Sequence, residues 1–295
     1  MECIKETSGE SLKILLSAGD SLYGEVISKL SNTTKIKKYT SRDLSFDELD
    51  EWRTYTLPDI LCSRYPGGVQ LEKQELVDLM EWKLTKGKFR PMLRKLIDSN
   101  DPKTVASVTN RGFENMINYY SELSNKDTFN YDSFQKALKE SLLIFSELKG
   151  VGPATASLLA SLLSFILKVK DFDRKVIIIP PFFCDEACDA LNPKLTVKLK
   201  YNLKEYFDLN LEKYITILGG ASRISKSYDL NESERALWAI KRGQLENVQV
   251  DKKYLDALTN LLLSKPSLGS IKRGADDIDD SSAAKPKRRR KYIAS

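Results

Sequence analysis

Ten residues, Leu148-Lys149-Gly150-Val151-Gly152-Pro153-Ala154-Thr155-Ala156-Ser157, constrain the fold of this chain more than any other stretch. They join two segments with helical patterning, 133–147 and 153–167. The two glycines suit the positive φ angles of a tight reversal, and Pro153 suits the first position of a new helix. The second segment is apolar around most of its circumference, with Leu158, Leu159, Leu162, Leu163, Phe165 and Ile166. Only Ser157, Ser161 and Ser164 relieve it, so it reads as a central helix that other helices must cover. A turn of this kind aims the N–H groups of Gly150, Gly152 and the second helix's first turn at one point. Such a convergence binds an anion, typically a phosphate, and Lys149 would add charge beside it. The alternative is an ordinary αα-hairpin whose glycines only make the turn.

The other signals are also helical. Ser45 and Glu48 form a capping box that opens a helix through Trp52, and Thr56-Leu57-Pro58 starts another that ends near Pro66-Gly67-Gly68. Residues 72–86 read as a helix stopped by Gly87. Asp101-Pro102 is a cap with a first-position proline, and 110–123 has the i, i+3, i+4, i+7 spacing of Phe113, Met116, Ile117 and Tyr120. Further helices are expected at about 185–191, 194–207, 211–218, 232–242 and 252–263. Val176-Ile177-Ile178-Ile179 is the one strong strand-like run, too short to found a sheet. The fold class is all-α.

The 295 residues contain no histidine. His-based general acid–base work, Ser-His and Cys-His nucleophiles and His-containing metal sites are thereby excluded. Cys3, Cys62, Cys184 and Cys188 lack the spacing of a metal knuckle and read as free thiols in a reducing compartment. No metal site and no cofactor is expected. No run is long and apolar enough for a membrane span, and Met1-Glu2-Cys3-Ile4-Lys5-Glu6 lacks the basic region and apolar core of a secretory signal. No membrane partner is expected.

The net charge of +6 is unevenly placed: residues 272–295 hold eight basic and four acidic residues, so they carry four of the six charges. The remainder is nearly balanced, and any DNA-binding surface on it must be a local patch. Three regions are expected: an N-terminal helical extension (1–40), a helical domain (41–265), and a disordered basic C-terminal tail (266–295). In the tail, Lys272-Arg273, eleven further residues and then Lys285, Lys287, Arg288, Arg289, Arg290 and Lys291 read as a bipartite nuclear-import signal. A nuclear import receptor and nuclear localisation follow, in preference to a non-specific polyanion-binding arm.

The hairpin at 133–167 resembles the helix-hairpin-helix of the DNA glycosylases of that name, a sequence-independent clamp on the backbone of duplex DNA. That resemblance implies a two-lobed helical DNA-glycosylase-like fold, with Lys149, Gly150, Val151, Gly152 and Thr155 contacting DNA backbone. A basic segment, Lys83, Lys86, Lys88, Arg90, Arg94 and Lys95, is interleaved with Trp82 and Phe89. Lys86, Lys88 and Arg90 are candidate second backbone contacts, while Trp82 and Phe89 read as core.

In those glycosylases a catalytic aspartate follows the hairpin at the start of the next helix, and here Pro181-Phe182-Phe183-Cys184-Asp185-Glu186-Ala187 holds that place. Breaking an N-glycosidic bond builds oxocarbenium-like charge, which a fixed carboxylate such as Asp185 stabilises. The other reading of Asp185 is a plain N-cap. Glu186 is a reserve carboxylate. Residues 82–91, the hairpin and 181–187 together resemble the Amun family, nuclear eukaryotic proteins with a DNA-glycosylase-like fold, over about residues 40–265. The resemblance implies a nuclear DNA-binding protein of base excision repair, a monofunctional N-glycosylase acting on a flipped base. Two features depart from the glycosylases. Ala154 stands where bifunctional enzymes carry a Schiff-base lysine, and 168–175 forms an apparent extra loop before Asp185. The alternatives are a non-catalytic chromatin-associated DNA-binding module and a protein-interaction scaffold.

Overall fold

Apolar periodicity becomes helix almost throughout residues 2–35, 39, 43–124, 129–196, 198–220 and 224–263, which the computed structural model describes. The expected tail, 266–295, with the import residues Lys272 through Lys291, lies outside them. The order begins with α1 (Glu2–Thr33) and α2 (Phe46–Glu51). A π turn (Trp52–Thr56) carries α2 into α3 (Leu57–Arg64), followed by α4 (Lys73–Lys86), α5 (Pro91–Asp98), α6 (Pro102–Glu122) and α7 (Tyr131–Phe145). Next come α8 (Pro153–Ser161), which tightens into a 3-10 turn (Leu162–Lys168), then β1 (Ile178–Ile179) and α9 (Asp185–Leu191). The remainder is α10 (Leu203–Glu205), α11 (Glu212–Ile217), β2 (Tyr228–Asp229), α12 (Leu230–Leu245) and α13 (Lys252–Leu263). β1 and β2 pair in parallel over two residues, Ile178 opposite Tyr228, too little to found a sheet. The described chain is all-α.

Side chains rather than propensity set most helix starts. Ser45 N–H donates to Glu48 Oε2 at 2.7 Å, closing the expected capping box on α2. Asp101 Oδ2 accepts from Thr104 N at 3.0 Å, and Pro102 follows as the first helical residue. The helix so opened runs unbroken through the segment expected at 110–123. Asn130 Oδ1 caps α7 at 3.0 Å from Ser133 N.

The helix expected at 194–207 forms only in its last part. Asn192 ends α9 by donating from Nδ2 to Cys188 O (2.8 Å) and Leu209 O (2.7 Å). The N–H groups of Lys200 and Tyr201 then donate to Glu205 Oε2, at 2.7 and 2.6 Å, instead of to carbonyls four residues back. Tyr201 takes a φ of +59°, so helix resumes only at Leu203 behind the Asn202 cap. In the segment read as a basic run, α5 is an additional helix.

The core forms around α8. Every residue from Thr155 to Ser161 is buried, as are Leu162, Leu163, Phe165 and Ile166 in the following turn. The serines work as interior anchors: Ser157 Oγ accepts from Phe183 N at 2.9 Å, and Ser161 Oγ accepts from Arg53 Nη2 at 2.9 Å. α6 and α7 pack so closely that a Cβ on Gly112 would overlap the Phe145 ring. Leu15, Ala18, Leu22, Val26 and Leu30 of α1 belong to the same continuous apolar core as α8 and α12. The stretch 168–175 lies on the surface, pinned by buried Phe172.

Candidate nucleic-acid interface and carboxylate cleft

The reversal between α7 and α8 rests on one glycine of unusual conformation. Gly150 has a φ of +81°, and a Cβ there would sit 3.0 Å from Leu96 Cβ and 3.3 Å from the Ile97 backbone. Gly152 has a φ of −104° and a ψ of −177°, extended backbone open to any residue, which corrects the expectation of two positive φ angles. A Cβ on Gly152 would meet nothing within 4 Å, so this residue keeps the mouth of the hairpin clear.

Not every amide of the turn is free. Val151 N–H donates to Leu148 O at 3.1 Å and its side chain is buried, so Val151 offers no donor to a phosphate, contrary to expectation. Lys149 N–H donates to Asn100 Oδ1 at 2.9 Å, while Asn100 Nδ2 donates to Lys149 O at 3.0 Å and to Ile97 O at 2.8 Å. Asn100, itself buried, thus clamps the hairpin to the α5–α6 junction. The N–H groups of Gly150, Gly152 and Ala154 make no backbone hydrogen bond among the described residues. The Lys149 side chain is exposed beside them. Thr155 is largely buried, lines the same hollow as Gly150 and Gly152, and its hydroxyl accepts from Lys83 Nζ at 2.9 Å.

Asp185 is held where α8 meets the crossing segment. Ser157 fixes Phe183, and Cys184, not Asp185, is the N-cap of α9: its Sγ accepts from Ala187 N at 3.4 Å. The capping reading of Asp185 is thereby removed. Its carboxylate instead accepts from Tyr201 Oη at 2.6 Å on Oδ1 and pairs with Lys88 Nζ at 3.1 Å on Oδ2. Burial, then the hydrogen bond to Asp185, pushes the Tyr201 phenol well above its ordinary range. Arg90 lies 5.3 Å from the Tyr201 ring centre.

Two depressions meet here. A cleft of about 50 Å³ is lined by Asp185, Lys83, Arg90, Ala154, Phe182 and Tyr201 among others. An adjoining hollow of about 140 Å³ shares Lys83, Arg90, Ala154 and Tyr201 and reaches Gly150 and Gly152. The hairpin residues Gly150 and Gly152 and the carboxylate of Asp185 therefore lie on two neighbouring depressions that share a wall of Lys83, Arg90, Leu93, Ala154 and Tyr201.

The basic segment divides. Lys88 and Arg90 are exposed at the cleft, but Lys86 is buried and cannot reach a phosphate, a correction to its expected role. Its Nζ lies 3.2 and 3.3 Å from the two Glu234 carboxylate oxygens, with Tyr23, Trp82 and Trp238 rings around it. The periodicity of α4 puts Lys86 one turn beyond the buried Trp82, which explains the misplacement. Trp82 is core as expected and donates from Nε1 to Asp50 Oδ1 at 2.7 Å. Phe89, expected in the core, is 64% exposed on the loop between α4 and α5.

Burial pushes up the carboxyl of Glu186, which pairs with Arg242 at 3.2 Å. Lys83 is the most perturbed cation of the site: burial, then the neighbouring Arg90 charge, lowers its ammonium to about 8, against a weaker opposing pull from Asp185. Sequence reasoning missed Tyr201, because 194–207 read as helix, and Asn100, whose neighbours Asp101-Pro102 read only as a cap. Among the described residues no group of three or more acidic or thiol side chains could hold a metal, and no helix is long and apolar enough to cross a membrane. Comparison with known proteins found no matching family model, no matching curated protein and no matching solved structure.

Proposed function

We propose that this chain is a nuclear DNA-binding protein of the Amun family, with a helix-hairpin-helix DNA-glycosylase-like fold, in which Asp185 cleaves the N-glycosidic bond of a flipped base. The observation that carries the reading is the wall that the two depressions share. Gly150, Gly152 and Ala154, whose N–H groups make no backbone hydrogen bond among the described residues, line a hollow that shares a wall with the cleft of a carboxylate that caps no helix. Amides so placed hold a DNA phosphate. The carboxylate then faces the sugar, where it stabilises oxocarbenium-like charge and orients water. Lys149, Lys88 and Arg90 supply positive charge around the path of the strand, and exposed Phe89 offers a ring for stacking on a base.

One observation favours a second reading, a DNA-binding module without chemistry. Both Asp185 oxygens are engaged, by Tyr201 and Lys88, and the cleft of about 50 Å³ is small. An apolar cavity that accommodates benzene measures about 150 Å³. Catalysis therefore requires Tyr201 and the exposed Lys88 side chain to give way to the base.

The test is abasic-site formation on a panel of modified duplexes by the parent and by Asp185→Asn. Asparagine keeps an acceptor for Tyr201 and α9 keeps its Cys184 cap, so folding and DNA binding persist. Base release falls by at least about 10²-fold. Activity that survives the substitution removes Asp185 from the chemistry, and a parent that binds DNA but releases no base establishes the second reading. For the import signal, replacing 287–291 with neutral residues in a fluorescent fusion moves the protein to the cytoplasm; unchanged nuclear accumulation overturns that part of the proposal.

A further inference from the structure

We infer that a hollow at the C-terminal end of α8 binds a sugar phosphate, with Arg53 and Arg235 on the phosphate and the carboxylates of Asp229 and Glu232 on its hydroxyls. The site is independent of the function proposed above. It lies at the far end of α8 from the hairpin and shares no lining residue with either depression there. Three elements build it. The π turn Trp52–Thr56 delivers three successive residues, Arg53, Thr54 and Tyr55, and turns of this kind recur at functional sites. Ser161 comes from the point where α8 tightens into its 3-10 turn, and the start of α12 brings the carboxylates and Arg235.

Arg53 is buried, yet no carboxylate pairs with it among the described residues. Its Nη2 donates to Ser161 Oγ at 2.9 Å, its guanidinium carbon lies 4.8 Å from the Trp82 ring centre, and its Nε has no partner. Arg235, half-buried, is also without an ion pair. It lies 4.5 Å from the Tyr23 ring centre and beside the Tyr55 hydroxyl, and its Nε has no partner either. Both rings are fixed by one buried carboxylate, since Tyr23 Oη and Trp82 Nε1 each donate to Asp50 Oδ1 at 2.7 Å. Asp50 thus sets two stacking platforms and pairs with neither guanidinium. A buried guanidinium without an anion is costly, and a planar fork held on a ring is preset to grip a phosphate through two N–H groups.

Asp229 does not take the anion's place. A carboxylate paired with Arg53 would titrate below its ordinary range, whereas burial, against hydrogen bonds from Asn231 N and Nδ2, pushes Asp229 up to about 6. Lys168 at the rim is already paired with Asp59 at 2.8 Å. The remaining lining selects the body of the ligand. At about 340 Å³ the hollow is larger than an inorganic anion fills and matches the size of small-molecule sites. Asp229 and the exposed Glu232 are acceptors, which suits hydroxyl groups rather than further negative charge. Guanidinium forks and acceptor carboxylates in one hollow fit a phosphomonoester on a polyhydroxylated body. A free sugar phosphate and the ribose phosphate of a nucleotide share that chemistry, and a base would meet the exposed Tyr55 ring.

Isothermal titration of the full-length chain with ribose 5-phosphate, adenosine 5′-monophosphate, inorganic phosphate, ribose and adenosine reads the site. At least one of the two phosphomonoesters binds about 10-fold or more tightly than inorganic phosphate and than its own dephosphorylated form, because each of those lacks half of the contacts. The tighter of the two tells a nucleotide from a free sugar phosphate. Arg235→Gln loses about 10-fold or more of that affinity, as the loss of a charge-assisted hydrogen bond does, while Arg90→Gln on the hairpin face retains it. Circular dichroism monitors the folding of both. A second measurement needs no variant: phenylglyoxal modifies the arginines of the parent, and the tighter phosphomonoester protects Arg235 in peptide maps. Three results overturn the proposal on the parent protein alone: no binding of either phosphomonoester, inorganic phosphate binding as tightly, or ligand that leaves Arg235 unprotected. An affinity that falls as much in Arg90→Gln as in Arg235→Gln places the ligand on the hairpin face and overturns it as well.

Discussion

Lys83 and Lys86 lie one turn apart on α4, both largely removed from water, and they meet opposite electrostatic environments. Lys86 sits against Glu234 at 3.2 Å inside a cage of three aromatic rings. Lys83 has the Thr155 hydroxyl for a partner and Arg90 for a neighbour, and its ammonium is lowered to about 8. Burial alone does not decide what a lysine becomes. A buried countercharge in contact makes it structural, whereas burial beside another cation without such a contact lowers its ammonium.

The largest effect expected from this comparison belongs to Lys86. Lys86→Met leaves Glu234 buried without its ion pair, with the Cys184 thiol as its one remaining hydrogen-bond donor among the described residues, at 3.0 Å. Breaking a buried pair from one side costs about 3–5 kcal/mol. Denaturant unfolding of Lys86→Met is expected to show that loss, and Lys86→Met combined with Glu234→Leu to regain most of it. A single variant within 1 kcal/mol of the parent breaks the contrast between the two lysines.

How much of this could be read from sequence depends on whether the signal is local. The caps Ser45 and Asp101, the stop at Gly87, the buried face of α8 and the extents of α9 and α13 follow from residues a few positions apart, and the structure has them there. Lys86 was misread because period alone shows which residues share a face, not which face is inside. Tyr201 was missed because its backbone amide bonds to Glu205 and its hydroxyl to Asp185, tertiary choices that override a helical pattern. The clamp by Asn100 spans 49 residues and leaves no trace in local spacing. Gly152 shows the converse: a glycine that sequence logic assigns to a strained turn sits in extended backbone, at a mouth where a side chain would project.

The middle effect belongs to Lys83 and has the opposite sign. At neutral pH folding confines an ammonium that would be better solvated outside. Between pH about 8 and its ordinary value near 10.5 the unfolded chain binds more protons than the folded one, so this residue's contribution to stability rises with pH over that window. Below pH 8 both states carry the proton and the full penalty stands. Lys83→Met removes it, at the cost of the bond to Thr155, and is expected to leave the protein as stable as the parent or up to about 1–2 kcal/mol more stable at pH 7. Unfolding curves for parent and variant at pH 7 and pH 9.5 check this, and their difference shrinks at the higher pH. A variant that is destabilised as Lys86→Met is makes Lys83 a structural lysine after all.

The smallest effect tests the hydroxyl that orients the amine. Thr155→Val keeps volume and branching in the first turn of α8, so packing around Ala156 and Leu158 is preserved. The hydroxyl accepts from Nζ at 2.9 Å, and an acceptor favours the charged form of its donor. Its loss removes one hydrogen bond, worth about 1 kcal/mol or less in a site that water still reaches. The Lys83 titration is therefore expected to move below 8, seen as a lower midpoint in the pH dependence of reductive methylation of Lys83 by formaldehyde, with stability changed by no more than about 1 kcal/mol. A midpoint that moves up instead means the Thr155 hydroxyl holds the neutral amine, as acceptor of one N–H and donor to the lone pair. In that case burial and the Arg90 charge act on an amine that Thr155 already helps keep uncharged, and the contrast with Lys86 widens.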